Sequence, residues 1–251
     1  MSLIKWQTKY LLAGALILPI SPFLYLQGRL TRRKVGVLPN AGGANTGLAG
    51  EDENSAQLLV IGESTVAGLG AATHETALAG QFAKELAARI ERGVSWTAVG
   101  RSGVTTAGAI VELVPLIPSD KFDFMLVALG GNDVLKLSSP RKWRRDMIRL
   151  LTILRQHSPN AVIFLANCPM IKFSPVIPQP IKSMLWELSK LHDANIKQIV
   201  AGLENVYYYH QPASVPDDFF ADGIHPSETG YAQWARSMME FFDANHRWMK
   251  S

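Results

Sequence analysis

The chain has 251 residues, of which 47% are hydrophobic, a composition that excludes a largely disordered protein and suffices for one domain with an ordinary core. The single cysteine, Cys168, excludes an intramolecular disulfide and a metal site built from several cysteines. The formal net charge is +4, but residues 1–34 contain six basic residues and no acidic ones, so subtracting these six charges leaves −2 for the rest of the chain. This distribution argues against nucleic acid as a partner, because a nucleic-acid-binding domain needs a basic face on its folded part.

The N-terminal segment has the pattern of a membrane anchor. Residues 10–26 are uncharged and mostly apolar, with lysines before them and a basic cluster at 29–34 after them. As a helix this run would span about 26 Å, slightly less than a ~30 Å hydrocarbon core, and Pro19 and Pro22 would kink it. A cleaved signal peptide would need a small-residue cleavage site after the run, but Gln27-Gly28-Arg29 and a basic cluster stand there. An in-plane amphipathic helix would need a polar face, and this run has almost none. We therefore predict a membrane anchor over 1–34, and the excess of basic residues after the run favours a cytoplasmic domain.

The rest of the chain divides into a linker and one domain. Residues 35–57 are rich in glycine, alanine and asparagine, which predicts a flexible linker, and 58–251 form the predicted domain. Within the domain, apolar runs predict five strands, at 58–61, 96–99, 124–129, 162–166 and 206–208. Longer amphipathic segments predict helices at 77–91, 105–113, 141–156, 181–200 and 227–244. This alternation predicts a three-layer α/β/α sandwich with a central, mostly parallel five-stranded sheet, whose functional residues lie beyond the carboxyl ends of the strands.

A serine follows the first predicted strand, in the sequence Gly62-Glu63-Ser64-Thr65. A glycine before a serine at a strand end lets the chain turn sharply and exposes the hydroxyl. The nucleophile elbow of α/β-hydrolases needs a glycine two residues after the serine, where Val66 stands, and the Gly-Lys-Ser/Thr of a P-loop does not follow either. Taken alone, the serine fits a turn or cap residue better than a nucleophile.

Two further polar clusters follow the next two predicted strands. Residues 100–105, Gly-Arg-Ser-Gly-Val-Thr, open a helix, so their backbone N–H groups can hold an anion, although a plain glycine-rich turn has the same pattern. Residues 130–133, Gly-Gly-Asn-Asp, include Asn132, whose side-chain amide can either donate to a developing oxyanion or form an Asx-turn.

The fourth cluster, Asp222-Gly223-Ile224-His225, precedes the last predicted helix. An aspartate and a histidine three residues apart in a tight turn can join the carboxylate to one ring nitrogen and leave the other nitrogen free to act as a base. The alternative is that Asp222 only caps a turn. Of the six histidines, only His225 has such an acidic neighbour in a turn.

In this order and spacing the four clusters resemble the sequence blocks of the SGNH hydrolase family, also known as GDSL esterases and lipases, over about residues 58–246. The resemblance implies a flavodoxin-like SGNH fold and a serine hydrolase of carboxylic acyl esters that uses neither a metal nor another cofactor. It implies a triad of nucleophile, base and orienting carboxylate, namely Ser64, His225 and Asp222. It implies oxyanion donors at two backbone N–H groups and one amide, those of Ser64, Gly103 and Asn132. The residues expected to support these groups are Gly62, Glu63, Gly130 and Asp133, the last as a structural hydrogen-bonding residue.

The chain departs from the family pattern in two places. The family usually has an aspartate before its serine and a leucine after it, where this chain has Glu63 and Thr65. It often has an asparagine five positions before the glycine block, where this chain has Ala98. Neither change removes a proton-transfer or oxyanion group, so we expect them to alter fine geometry and not the class of reaction.

The expected substrate is a small acyl ester or a lipid-like ester. The apolar, proline-rich segment 167–181 and the pair Phe219-Phe220 either line an acyl pocket or cover the sheet. Two other functions use the same fold: transfer of an acyl group to a sugar or lipid alcohol, and membrane-tethered binding without catalysis. For the esterase, activity is predicted to rise with pH through the range near about 6.5 in which imidazoles lose their proton.

Overall fold

A computed structural model describes residues 2–51, 54–167, 170–246 and 248. Within these ranges one sheet contains the strands β1 Thr46–Ala49, β2 Ala56–Gly62, β3 Val94–Gly100, β4 Phe124–Ala128, β5 Val162–Leu165 and β6 Val206–Tyr208. Their order across the sheet is β1-β3-β2-β4-β5-β6. All neighbouring strands are parallel except β1, which pairs antiparallel with β3.

The helices follow the predicted alternation with the strands. They are α1 Leu3–Ile17, α2 Ser21–Val35, α3 Leu78–Ile90, α4 Thr106–Glu112, α5 Gly131–Leu135, α6 Pro140–His157, α7 Ile181–Val200 and α8 Glu228–Asn245. The five strands and five helices predicted for the domain agree with the observed ones to within two residues at each end. The short α5 was not predicted.

Both faces of the sheet are buried, which explains why its strands are continuous apolar runs. Along β2, Leu58 and Val60 pack in one cluster with side chains of α3 and α8. The alternate residues Leu59 and Ile61 pack in a second cluster with side chains of α4, α6 and α7. The sheet therefore lies between two layers of helices, and the predicted α/β/α sandwich is confirmed.

The sheet has six strands and not the predicted five, and the additional strand comes from the predicted linker over 35–57. Thr46–Ala49 forms an edge strand against β3. Beside it, the backbone oxygen of Asn45 accepts a hydrogen bond from Ala98 N at 2.7 Å, and the Asn45 amide donates to Ala98 O at 3.1 Å. The prediction of a linker that is flexible throughout is thus wrong for this part; residues 52 and 53 lie outside the described residues.

The strand order reverses at β2, with β3 on one side of it and β4 on the other. In an open parallel sheet such a reversal leaves a crevice at the carboxyl ends of the strands, because the connecting segments diverge to opposite faces. The segments that follow β2, β3 and β4 are those that contain the first three polar clusters of the sequence. The topology therefore brings these clusters to a common edge.

Among the described residues, the helical segment Leu3–Val35 is long and apolar enough to cross a membrane. A 3₁₀ turn at Leu18–Ile20, which contains Pro19, separates α1 from α2. Membrane anchors and signal sequences share this length and composition, so the segment fits both, and the anchor itself stays a prediction. The cytoplasmic side of the domain stays a prediction.

Candidate active site

The serine cluster begins where β2 approaches the end of β4. A Cβ atom at Gly62 would clash with the carbonyl oxygen of Ala128, so only glycine fits this position. The N–H of Glu63 then donates to the same oxygen at 3.1 Å, which fixes the start of the turn. Ser64 follows at the carboxyl edge of the sheet and is half-buried.

Glu63 connects the serine cluster to the asparagine cluster. Its carboxylate accepts hydrogen bonds from Gly131 N at 2.6 Å, from Asn132 N at 2.8 Å and from the Asn132 side-chain amide. Burial raises the pKa of Glu63 to about 7, because the desolvation of the charge outweighs the stabilising hydrogen bonds, and the nearby Asp133 adds to the rise. The glutamate that replaces the family's usual aspartate thus holds the turn that contains Asn132.

The glycine cluster follows β3 and presents backbone N–H groups at the same edge. Gly103 is exposed and has φ of +82°, a conformation that favours glycine. Its carbonyl oxygen accepts a hydrogen bond from Lys136 Nζ at 2.7 Å, whereas its N–H has no acceptor within the part of the chain that the structure describes. That N–H is therefore available to an oxyanion. The side chain of Thr105 caps the next helix by accepting from Gly108 N.

Asp133 is fully buried and holds the glycine and asparagine clusters together. One carboxylate oxygen accepts from Thr106 N at 2.7 Å and from Thr106 Oγ1 at 2.8 Å. The other accepts from Ser138 Oγ at 3.0 Å. These contacts fix the start of α4 relative to α5, which begins after Gly130 and contains Asn132. Because both of its carboxylate oxygens accept hydrogen bonds from buried protein groups, Asp133 has the environment of a structural residue.

The aspartate and histidine of the last cluster form a pair. His225 Nδ1 lies 2.8 Å from Asp222 Oδ2, and the other carboxylate oxygen accepts from the backbone N–H groups of Ile224 and His225 at 2.9 and 2.7 Å. Partial burial acts to raise the pKa of Asp222, but the hydrogen bonds from the His225 ring and from the two N–H groups outweigh it, so this pKa lies below its usual value. The carboxylate is therefore charged at neutral pH and holds the imidazole ring in one orientation.

Contacts on the far side of the serine turn bring the fourth cluster to the same edge. Tyr231 Oη donates to Leu69 O at 2.7 Å, and the Glu228 carboxylate accepts from Ala72 N at 2.8 Å. The chain at Gly70 passes so close to Pro226 that a Cβ atom would clash with the Pro226 carbonyl. The chain after Ser64 therefore packs directly against the chain around His225.

The serine and the histidine are not yet hydrogen-bonded to each other. Within the described residues neither Ser64 Oγ nor His225 Nε2 has a hydrogen-bond partner, although each stands at the shared edge. Catalytic hydrogen bonds are often long without substrate and tighten in the complex. The four clusters thus lie at one edge of the sheet, with the Ser64 hydroxyl and His225 Nε2 free of hydrogen bonds within the described residues.

Several residues that support the site carry no sequence signal. Ser138 donates to Asp133, and Lys136 donates to Gly103 O. Neither residue belongs to a motif, and both lie in the short segment after α5. Ser174 Oγ donates to Gly223 O at 2.6 Å and so fixes the turn between Asp222 and His225. Only the tertiary structure identifies these contacts, because the partners are far apart in sequence.

Part of the apolar segment 167–181 and of the phenylalanine pair covers the protein core, whereas Pro175 and Pro180 are exposed and Val176 is half-buried. Ile177 is 8% exposed and Phe219 is 3% exposed, and each packs in a cluster of buried side chains. Cys168 and Pro169 lie outside the described residues. In the ranges that the structure describes, no group of three or more histidine, cysteine, aspartate and glutamate side chains has the arrangement of a metal site.

Known proteins resemble this chain in sequence and in fold. The model of the GDSL-like lipase/acylhydrolase family matches residues 60–233. A GDSL-like esterase of Mycobacterium tuberculosis is 26% identical over 213 residues, which cover 80% of this chain and 66% of the relative. The chain thus spans slightly less than two thirds of that protein's length.

Among solved structures, a lipase from a goat rumen metagenome has a TM-score of 0.61 at 16% identity, and the alignment covers 78% of this chain and 100% of the lipase. A family 3 carbohydrate esterase of Clostridium thermocellum has a TM-score of 0.57 at 16% identity, with 76% and 96% covered. At such identities the likeness shows the fold alone.

Proposed function

The chain belongs to the GDSL-like lipase/acylhydrolase family, and from this premise we propose that it is a serine esterase that hydrolyses carboxylic acyl esters. Family membership supports the hydrolysis of esters in general. The assignment of Ser64, His225 and Asp222 as the triad is part of the proposal. So is the assignment of the oxyanion donors.

One observation carries the proposal. The carboxylate of Asp222 holds His225 Nδ1 at 2.8 Å, while His225 Nε2 has no partner among the described residues, at the edge of the sheet where the half-buried Ser64 lies. A carboxylate that takes the Nδ1 proton as a hydrogen bond leaves Nε2 as the unprotonated acceptor, which is the tautomer that a general base requires. This arrangement supports His225 as the base of the proposed reaction.

The reaction follows from these positions. Ser64 Oγ attacks the ester carbonyl carbon as its proton passes to His225 Nε2, and Asp222 stabilises the resulting imidazolium. The tetrahedral intermediate then collapses, the C–O bond to the alcohol breaks as His225 Nε2 protonates the leaving oxygen, and the acyl group stays on Ser64. Water repeats the same two steps, releasing the acid and restoring the serine.

The negative charge of the tetrahedral oxygen needs donors that are already in position. The N–H groups of Ser64 and Gly103 and one N–H of the Asn132 amide supply them. The other N–H of that amide binds Glu63, so the asparagine side chain does not need to reorient when the charge appears. Glu63 thus holds the Asn132 amide in the orientation that donates to the oxyanion.

The proposed substrate class is a small acyl ester or a lipid-like ester. The neighbours described above include a lipase and a carbohydrate esterase. Acetylated sugars and longer acyl chains therefore both belong in the first assays.

The test is a comparison of the full chain in mild detergent with its Ser64→Ala variant. Hydrolysis of p-nitrophenyl esters from acetyl to long acyl chains, and release of acetate from acetylated sugars, should depend on Ser64 by a factor of at least about 10³. A serine-directed fluorophosphonate should label the wild-type chain and not the variant.

The alternatives predict different results. Product that forms only when a sugar or lipid alcohol is added would replace the esterase by an acyltransferase that uses the same serine. A folded wild-type chain that neither hydrolyses any ester nor reacts with the fluorophosphonate would contradict both enzymatic assignments and leave a binding module.

A further inference from the structure

The N-terminal helical segment is docked onto the domain before its apolar run. Trp6 is 3% exposed and packs in a cluster with side chains of α7. Lys9 Nζ pairs with Glu187 at 3.2 Å, and Tyr10 Oη donates to Leu137 O at 2.7 Å. A buried tryptophan with two polar contacts beside it constitutes a specific packing site.

The same segment is docked again towards the end of the run. Leu24 is 8% exposed, and Gln27 Nε2 donates to Gln179 O at 2.7 Å. Gly28 lies against Ile181, since a Cβ atom at this glycine would stand 3.9 Å from the isoleucine Cδ1. Both flanks of the apolar run are therefore held on the surface of one domain.

The middle of the run stands clear of the domain. Residues 11–16, 18–20 and 22–23 are exposed, and the 3₁₀ turn at Leu18–Ile20 interrupts the helix there. The exposed large apolar side chains of this stretch are Leu11, Leu12, Leu16, Leu18, Ile20 and Phe23. A soluble protein rarely exposes so many neighbouring apolar side chains without a partner.

Basic residues lie at both flanks and acidic ones are absent. Lys5 and Lys9 precede the run, and Arg29 and the cluster 32–34 follow it. A surface with an apolar centre and cationic borders complements a bilayer with an acyl interior and anionic headgroups.

We propose that this segment is an in-plane docking surface for a bilayer that contains anionic lipid, with its apolar middle inserted into one leaflet. A helix that crossed the bilayer would have its two flanks on opposite sides, but here both flanks contact the same domain. The segment therefore lies along one face of the membrane, in place of the spanning anchor predicted from the sequence, and the domain lies directly on the membrane surface.

The docked flanks connect the membrane to both sides of the candidate active site. Tyr10 binds Leu137, which follows the helix that contains Asn132. Gln27 binds Gln179, in the segment whose Ser174 fixes the Asp222–His225 turn. If the proposed esterase function is correct, on which this step rests, the site opens beside the leaflet, and esters held in that leaflet are the substrate class within reach.

Flotation of the full chain with vesicles tests the surface independently of catalysis. We expect binding to phosphatidylcholine vesicles that contain phosphatidylglycerol, and at least about 100-fold weaker binding for the double variant Leu12→Gln/Leu16→Gln, because burial of each of the two leucines contributes about 1.5–3 kcal/mol, a factor of ~10 or more. The matched control is Val111→Gln/Leu116→Gln, which changes two apolar residues that are 73% and 66% exposed elsewhere on the domain. The control and Ser64→Ala should bind as the wild type does.

The charged borders are tested by lipid composition. The variant Arg32→Gln/Arg33→Gln should bind anionic vesicles about fivefold more weakly per charge removed, and should differ little from the wild type on phosphatidylcholine alone. Equal binding of wild type and variant to anionic vesicles would overturn the assignment of these residues to the headgroup region.

A zero-length cross-link distinguishes an in-plane segment from a spanning one. A carbodiimide should join Lys9 to Glu187 through an amide, because their charged groups lie 3.2 Å apart, with Lys190 as a competitor for the same carboxylate at 2.5 Å. Lys9→Arg removes the reactive amine and is the control. Peptide mapping should find the 9–187 cross-link in similar yield on anionic vesicles and in detergent.

The outcomes are distinct. Loss of the cross-link on vesicles to which the chain still binds would show that the segment leaves the domain, and would overturn in-plane docking. Full binding by Leu12→Gln/Leu16→Gln would overturn the apolar surface. Retained vesicle binding without ester hydrolysis would contradict the proposed function and leave the docking surface supported.

Discussion

The carboxylate of Glu63 accepts hydrogen bonds from both the backbone N–H and the side-chain amide of Asn132. A residue next to the proposed nucleophile thus orients the proposed oxyanion donor. The longer side chain of glutamate allows the same carboxylate to reach Gly131 N as well. This relationship gives a physical role to the residue at which the chain departs from the family pattern.

Shortening this side chain tests that role. We expect Glu63→Asp to lower kcat by about tenfold, equivalent to one hydrogen bond of ~1.4 kcal/mol, because an aspartate cannot reach all three donors. KM should change little, since Glu63 does not face the substrate. Steady-state kinetics with a short p-nitrophenyl ester measures both constants; a variant that changes only KM would contradict a positioning role.

The raised pKa of Glu63, about 7, makes stability depend on pH. Between about pH 4.5 and 7 the folded protein holds a proton on Glu63 that the unfolded chain has released. The stability that this group contributes is therefore complete below pH 4.5 and is lost as pH rises through 7, by on the order of 3 kcal/mol.

Urea unfolding of the wild type and of Glu63→Gln from pH 5 to 8 measures this loss. The glutamine does not titrate, so the wild type should lose stability relative to the variant as pH rises. Parallel pH profiles for the two proteins would argue against a titration of Glu63 in this range.

Removing the amide of Asn132 should slow the chemistry. Asn132→Ala is expected to lower kcat by about 10²–10³, the usual effect of losing one oxyanion donor, while the free energy of unfolding falls by only about 1 kcal/mol for the lost hydrogen bond to Glu63. Single-turnover acylation with a chromogenic ester is the direct measurement. An acylation rate equal to that of the wild type would remove Asn132 from the mechanism.

Replacing the carboxylate of Asp222 by an amide should reverse the tautomer of His225. In Asp222→Asn the amide oxygen can still accept the N–H groups of Ile224 and His225, which leaves the NH₂ group facing Nδ1. Nδ1 then becomes the acceptor and Nε2 carries the proton, so the ring cannot accept the serine proton. We expect kcat to fall by about 10⁴ with the fold retained; near-normal kcat in a folded variant would exclude Asp222 as the orienting group.

The buried Asp133 should be required for stability. In Asp133→Asn the amide oxygen can still accept from Thr106, but the NH₂ group then faces the Ser138 hydroxyl, whose own O–H loses its acceptor. Chemical denaturation should show a loss of roughly 2–4 kcal/mol, since a buried donor is left without an acceptor. Asp123→Asn is the control, because that carboxylate is exposed and its loss should cost under about 1 kcal/mol.

The strands and helices of the domain could be predicted from the sequence because their signals are local. A buried parallel strand must be apolar on both faces, and each helix shows its buried stripe at a period of 3.6 residues. The order of the polar clusters at the strand ends was equally visible. Their convergence on one edge follows from the rule that parallel strands share their carboxyl ends.

Three features were decided only by the tertiary structure. The edge strand Thr46–Ala49 is stabilised by pairing with β3, and a short edge strand needs no apolar pattern of its own. The role of Glu63 depends on contact between two segments that are 68 positions apart in the sequence. The docking of Trp6 depends on a surface formed by α7, which no property of residues 1–34 specifies. Composition and periodicity determine which residues of a strand or helix are buried. Contacts between distant segments arise only when the sheet has brought those segments together.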